Sequence, residues 1–144
     1  SEPRAFAQFI VVPFALRNWN TCMTRYNKNV GDIGEHLALE HLQRHGYRIL
    51  EQKYSVQGGE IDVVAKKDNT LIFVEVKTAT SPSFGAPETW VDERKQQRLG
   101  LAAEVYMQRN TIVDVDCRFD VIAVDLSCHP PAIRHIQDAF WLEE

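Results

Sequence analysis

Three charged residues stand on two neighbouring stretches that read as strands: Asp62 in Gly59-Glu60-Ile61-Asp62, and Glu75 with Lys77 in Phe73-Val74-Glu75-Val76-Lys77. A strand sends alternate side chains to opposite faces, so Glu75 and Lys77 share one face while Val74 and Val76 take the other. Between the two stretches, Lys66-Lys67-Asp68-Asn69-Thr70 has turn chemistry and is flanked by apolar runs, which predicts a hairpin. A turn centred on Asp68 and Asn69 sets Asp62 opposite Glu75 and Glu60 opposite Lys77. Opposed residues on one face of an antiparallel pair have Cβ atoms about 4.5–5.5 Å apart, and like charges there repel. A divalent cation gives two carboxylates a reason to meet. Mg²⁺ takes oxygen ligands, commonly one or two carboxylates, and completes its shell with waters and substrate phosphates. Lys77 would then stand beside the bound water or the phosphate. The same residues also read as the wet face of an amphipathic hairpin, with Lys77 neutralising Glu60 and no chemistry attached.

The elements that must position these residues follow from periodicity. A helix is predicted from Asp32 to His45, with Asp32 and Glu35 spaced as a capping box and Gly46 as the stop. On that helix Glu35 shares a face with Ala38, Leu39 and Leu42; it is a cap or a third acid of the site, with capping the default. A strand over Tyr47–Val56 and a turn at Gly58-Gly59 lead into the hairpin. After the loop Ser81–Pro87, a second helix is predicted over Glu88–Arg109, burying Val91, Leu99, Ala102, Ala103 and Tyr106. Arg94, Lys95 and Arg98 form a basic group in its first half, either a solvated helix face or a set of phosphate contacts. Strands over Arg118–Leu126 and Ala132–Ile136 follow, and Ala139, Phe140 and Trp141 close the body. This order gives an α/β or α+β mixed sheet flanked by helices, with the second helix crossing between strands.

The chain has 144 residues, 44% hydrophobic and 25% charged, enough for one domain with a core of its own. Its formal net charge of −4 argues against coating nucleic acid through bulk charge, so any polyanion site is local. Three cysteines, Cys22, Cys117 and Cys128, have neither disulfide-framework nor zinc spacing and suit a reducing, cytoplasmic setting. Ala5–Leu16 is too short and too interrupted to span a bilayer. Residues 1–26, rich in aromatics and poor in acids, read as an N-terminal extension, a packing helix or a flexible leader; residues 27–144 read as a single domain. His41 and His45, at i and i+4, read as a polar helix face, His135 as a strand-surface group, and the tryptophans as packing residues.

Taken together, Gly34-Glu35, Gly59-Glu60-Ile61-Asp62 and Phe73-Val74-Glu75-Val76-Lys77 resemble the PD-(D/E)-x-K nuclease signature, with Ile61 where the signature has proline. With Gly31-x-x-Gly34-Glu35, Gly46-Tyr47, Phe84-Gly85, Lys95, Arg118-Phe119-Asp120 and Ala139-Phe140, the chain from about Asn27 to Phe140 resembles the YraN-like family of bacterial proteins. That family is similar in fold to archaeal Holliday junction resolvases and restriction-endonuclease-like proteins. The resemblance implies a restriction-endonuclease-like core and a Mg²⁺- or Mn²⁺-dependent endonuclease acting on structured, branched or damaged DNA. Asp62 and Glu75 would hold the metal, Glu35 would be an additional acid, and Lys77 would orient or deprotonate the attacking water. Arg94, Lys95 and Arg98 would contact the nucleic-acid backbone. A homodimer is implied by analogy with resolvases, which cut two strands symmetrically. The alternative is a non-catalytic nucleic-acid-binding or protein-interaction module on the same fold.

Overall fold

Asp68, with φ 54°, and Asn69 make the two-residue turn of the central hairpin, closed by Lys67 opposite Thr70. The structure is a computed structural model that describes residues 8–11, 26–81, 85 and 89–142, with the backbone alone for 8–11 and 26–28. Its elements are β1 (Gln8–Val11), α1 (Tyr26–Arg44), β2 (Arg48–Val56), β3 (Gly59–Lys67), β4 (Thr70–Ala79), α2 (Glu93–Arg109), β5 (Asp116–Asp125) and β6 (Ala132–Phe140). The sheet has the order β1-β6-β5-β4-β3-β2. β4 and β5 run parallel, joined through α2, and the other neighbouring pairs are antiparallel. This is the mixed sheet with flanking helices that the sequence predicts, and it is consistent with a restriction-endonuclease-like core.

The two helices cover opposite faces. Val63, Ala65, Ile72 and Val74 pack with Leu37, Ala38 and Leu42 of α1, while Val64, Leu71 and Phe73 pack with Leu99, Ala102 and Ala103 of α2. Each fully buried aliphatic side chain of this kind contributes about 1.5–3 kcal/mol, so both helices are fixed mainly by their apolar faces. Two glycines let them come close. A Cβ on Gly34 would collide with the Thr78 side chain of β4, and a Cβ on Gly59 would collide with the Arg98 carbonyl oxygen and lie 3.3 Å from Ala102.

Several expectations are corrected. α1 begins at Tyr26, so Asp32 and Glu35 lie inside the helix and form no capping box. Burial of Val30 and Ile33 against the α1-side core carries the helix past Gly31 in spite of its poor propensity. At the other end Gly46, with φ 83°, terminates the helix as expected: Gly46 N–H donates to the Gln43 carbonyl at 3.2 Å and Tyr47 N–H to the Leu42 carbonyl at 3.0 Å. α2 begins at Glu93 rather than Glu88, because Asp92 caps it by accepting the Lys95 N–H at 2.8 Å. Gln8–Val11, read as part of a helix or a flexible leader, forms a strand paired with β6; the rest of residues 1–25 lies outside the described residues. Among the described residues no helix is long and apolar enough to cross a membrane.

The histidines are corrected most. His41 and His135 are each 1% exposed, not surface groups. His135 Nε2–H donates to Asp120 Oδ2 at 2.8 Å, since a carboxylate can only accept, and its Nδ1 shares a hydrogen bond with His41 Nε2 at 3.0 Å. Arg118 Nε and the Asp138 N–H donate to the other Asp120 oxygen at 2.9 and 3.0 Å, and Arg118 also reaches the Tyr47 hydroxyl at 2.6 Å. Burial alone would raise the Asp120 carboxyl, but the bonds from His135 and Arg118 outweigh it and hold the group below the usual range. This network ties α1 to β5 and β6.

Candidate active site

The hairpin register is the expected one, with Val63 opposite Val74 and Val64 opposite Phe73, but the ladder stops one step before Asp62 and Glu75. There Asp62 Oδ2 accepts the Val76 backbone N–H at 2.8 Å, supplying the acceptor that β3 no longer provides. On the other side of β3, Lys53 faces Asp62 between the paired positions Gln52–Val63 and Tyr54–Ile61, and it adopts φ 50°. Left-handed backbone at a lysine costs on the order of 1–3 kcal/mol and recurs where a site re-aims its side chains. Here the side chain turns to α1 and pairs with Asp32 at 3.2 Å and Glu35 at 3.7 Å.

Glu75, like Asp62, is half-buried, its side chain 12% exposed. Its Oε1 meets Lys95 Nζ of α2 at 3.1 Å, whereas Oε2 is buried with no hydrogen-bond partner. Burial first, and then the Asp62 charge, push the Glu75 carboxyl up to about 7 against the opposing pull of Lys95. Burial also raises Asp62, although the Val76 N–H and Glu75 act to lower it. At neutral pH Glu75 is the acid that takes a proton. Two carboxylates packed in this way call for a proton or a cation between them.

Lys77 lies on the face of β4 opposite Val76, as alternation predicts, half-buried and with no ion pair or hydrogen bond among the described residues. Glu35 approaches from α1, where burial first and the Asp62 charge second raise its carboxyl, while Lys53 opposes them. Among the described residues no group of three or more His, Cys, Asp or Glu is arranged to hold a metal ion, so Glu35 is near Asp62 without completing a ligand set. The donors that fit a hard cation are Asp62 and the unpartnered oxygen of Glu75. Two carboxylates satisfy Mg²⁺ or Mn²⁺ where waters and phosphate oxygens fill the remaining positions.

Arg94, Lys95 and Arg98 line a cavity of about 240 Å³ together with Asp92. Lys95 alone of the three turns inward to the carboxylates, also lying 3.9 Å from Glu60. A cavity of about 600 Å³ at Phe73, Met107, Cys117, Phe119 and Leu142 is lined by neither Asp62 nor Glu75. Sequence reasoning placed Lys95 with the phosphate contacts and missed its bond to Glu75. The signal was present in Gly59, whose missing side chain admits α2 to β3 beside the acidic stretch.

A restriction-endonuclease-like core that carries a half-buried carboxylate pair at a hairpin break, with a lysine two residues on, is the class these features define. Residues 34–124 match the model of "Uncharacterised protein family UPF0102". Similar proteins include UPF0102 proteins of Geobacter metallireducens, 43% identical over 120 residues that span 83% of this chain and 98% of the relative, and of Geobacter sulfurreducens, 42% identical over 83% and 94%. A third, from Christiangramia forsetii, is 42% identical over 83% of this chain and 98% of its own length. The chain belongs to the UPF0102 family, the YraN-like group identified from its motifs.

Proposed function

We propose that this protein is a metal-dependent nuclease that hydrolyses phosphodiester bonds of structured DNA, branched or damaged. The observation that carries the reading is Glu75: a half-buried carboxylate set against Asp62 and raised to about 7, with one buried oxygen that no donor reaches. A fold does not hold two acids in this state for stability, because the pair is costly unless a proton or cation relieves it.

Asp62 and Glu75 would hold Mg²⁺ or Mn²⁺, with the Val76 carbonyl as a further oxygen donor. The bound ion supplies positive charge to the phosphoryl group and activates water for attack. Lys77 orients that water and offsets charge growing on the phosphate. Its lack of a partner among the described residues leaves the ammonium free for this work. Arg94 and Arg98 bind flanking phosphates, and Lys95 stands between that basic cavity and Glu75. Local bases of this kind let a chain of net charge −4 bind a polyanion at one place. The reading carries with it a homodimer, one copy for each strand of a branched substrate, and a cytoplasmic setting in keeping with the free thiols of Cys117 and Cys128.

Calorimetric titration of Mn²⁺ into the wild type and Asp62→Ala, in buffer free of chelator, tests the site. Binding in the wild type that is lost in the variant is the expected result; no binding in either, or equal binding in both, contradicts it.

A further inference from the structure

Glu75 divides its two oxygens between different tasks. Oε1 is bound by Lys95 Nζ at 3.1 Å, and Oε2 is buried with no donor in reach. Lys95 pairs with Glu75 and, at 3.9 Å, with Glu60, but has no ion pair with Asp62. Its ammonium is within ion-pair distance of Glu75 and Glu60 but not of Asp62, whose charge acts on it from farther off. The backbone that carries it is fixed twice over. Lys95 N–H donates to the capping Asp92 at 2.8 Å, and Gly59 lets α2 press directly on β3.

We propose that Lys95 is a positioning residue, whose ammonium pins Glu75 Oε1 so that Oε2 stays turned to the space shared with Asp62, ready for a divalent cation. The proposal rests on the nuclease reading of the site. A lysine that filled the cation's place would sit between the two acids and would be expelled on binding. Lys95 is paired with Oε1 and makes no ion pair with Asp62, which leaves Oε2 and the Asp62 carboxylate to the cation. Groups that orient a metal ligand commonly affect metal affinity about 10–100-fold when removed, without touching the ion themselves.

The test is Mn²⁺ calorimetry on wild type, Lys95→Met, Lys95→Arg and Glu60→Gln, with urea unfolding of each. Lys95→Met keeps the apolar stem and should bind Mn²⁺ about 10–100-fold more weakly than wild type. Lys95→Arg, which can still donate to Oε1, should recover most of that loss, and Glu60→Gln should bind like wild type. The unfolding midpoints should move little, because a partly exposed ion pair is screened by water and contributes little to stability. Wild-type binding with equal or tighter binding in Lys95→Met would overturn the positioning role and leave the nuclease reading intact. So would loss of binding in Lys95→Met that Lys95→Arg does not restore. No binding in the wild type or any variant would overturn the nuclease reading, and the inference with it.

Discussion

Asp62 takes its hydrogen bond from the Val76 backbone N–H, 2.8 Å away, at the point where the β3–β4 ladder ends. The carboxylate is thus both a strand cap and a site acid, and the two roles separate by substitution. Asp62→Asn keeps an oxygen for Val76 and removes the charge that burdens Glu75. Asp62→Ala leaves the N–H without an acceptor, which costs about 1–3 kcal/mol. Urea unfolding at pH 7.5 should therefore find the Asn variant at least as stable as wild type and the Ala variant less stable than Asn by that amount.

Glu75 predicts a pH dependence. Its carboxyl stands at about 7 in the folded protein against 4.5 ordinarily, so between these values the folded state binds more protons than the unfolded chain. Stability from this group is present below about 4.5 and falls as pH rises to 7, by at most about 1.4 kcal/mol per unit. Glu75→Gln should remove that slope, so its gain over wild type grows from pH 5 to pH 8 in denaturant titrations without metal. A constant difference across that range would contradict the assignment.

His41 acts in the opposite sense. Burial first, then His135 and His45, hold its ring down to about 3 against an ordinary 6.5. The unfolded chain takes up the extra proton between those values. Stability is lost as pH falls from about 6.5 toward 3, by at most about 1.4 kcal/mol per unit. His41→Gln, whose amide can still hydrogen-bond His135, should flatten this acid limb. Asp120→Ala strips Arg118 and His135 of their shared acceptor, and breaking a buried pair of this kind costs about 3–5 kcal/mol; thermal unfolding at pH 7.5 checks it.

Much of the hairpin was legible in advance. Asp68-Asn69 fixed the turn, the turn fixed the register, and the register brought Asp62 beside Glu75, because a two-residue hairpin is set by its turn and the residues flanking it. Lys95 was harder: its bond to Glu75 depends on how closely α2 lies on β3, a distance set by Gly59 and by packing far along the chain. His41 looked polar when set beside His45, although it shares a helix face with Leu37, Ala38 and Leu42, a spacing that places it in the core. Its partners Asp120 and His135 come from two later strands, and no local pattern joins them. Asp32 and Glu35 have capping spacing, yet burial of Val30 and Ile33 extends the helix beyond them.

Lys77 separates binding from chemistry. It lies on β4 beyond the acid pair and has no partner among the described residues. Lys77→Met should bind Mn²⁺ as wild type does and lose cleavage, whereas loss of metal binding would make Lys77 part of the cation site instead.

The most direct measurement is cleavage of an end-labelled four-way DNA junction by wild type, Asp62→Asn and Glu75→Gln, with Mg²⁺ or with chelator. Wild type should cut with Mg²⁺ and fall silent with chelator, and both variants should lose about a hundredfold or more while still folded. Cutting that survives chelator or either substitution, or a metal-loaded wild type that leaves junctions, flaps and damaged duplexes intact, would contradict the account.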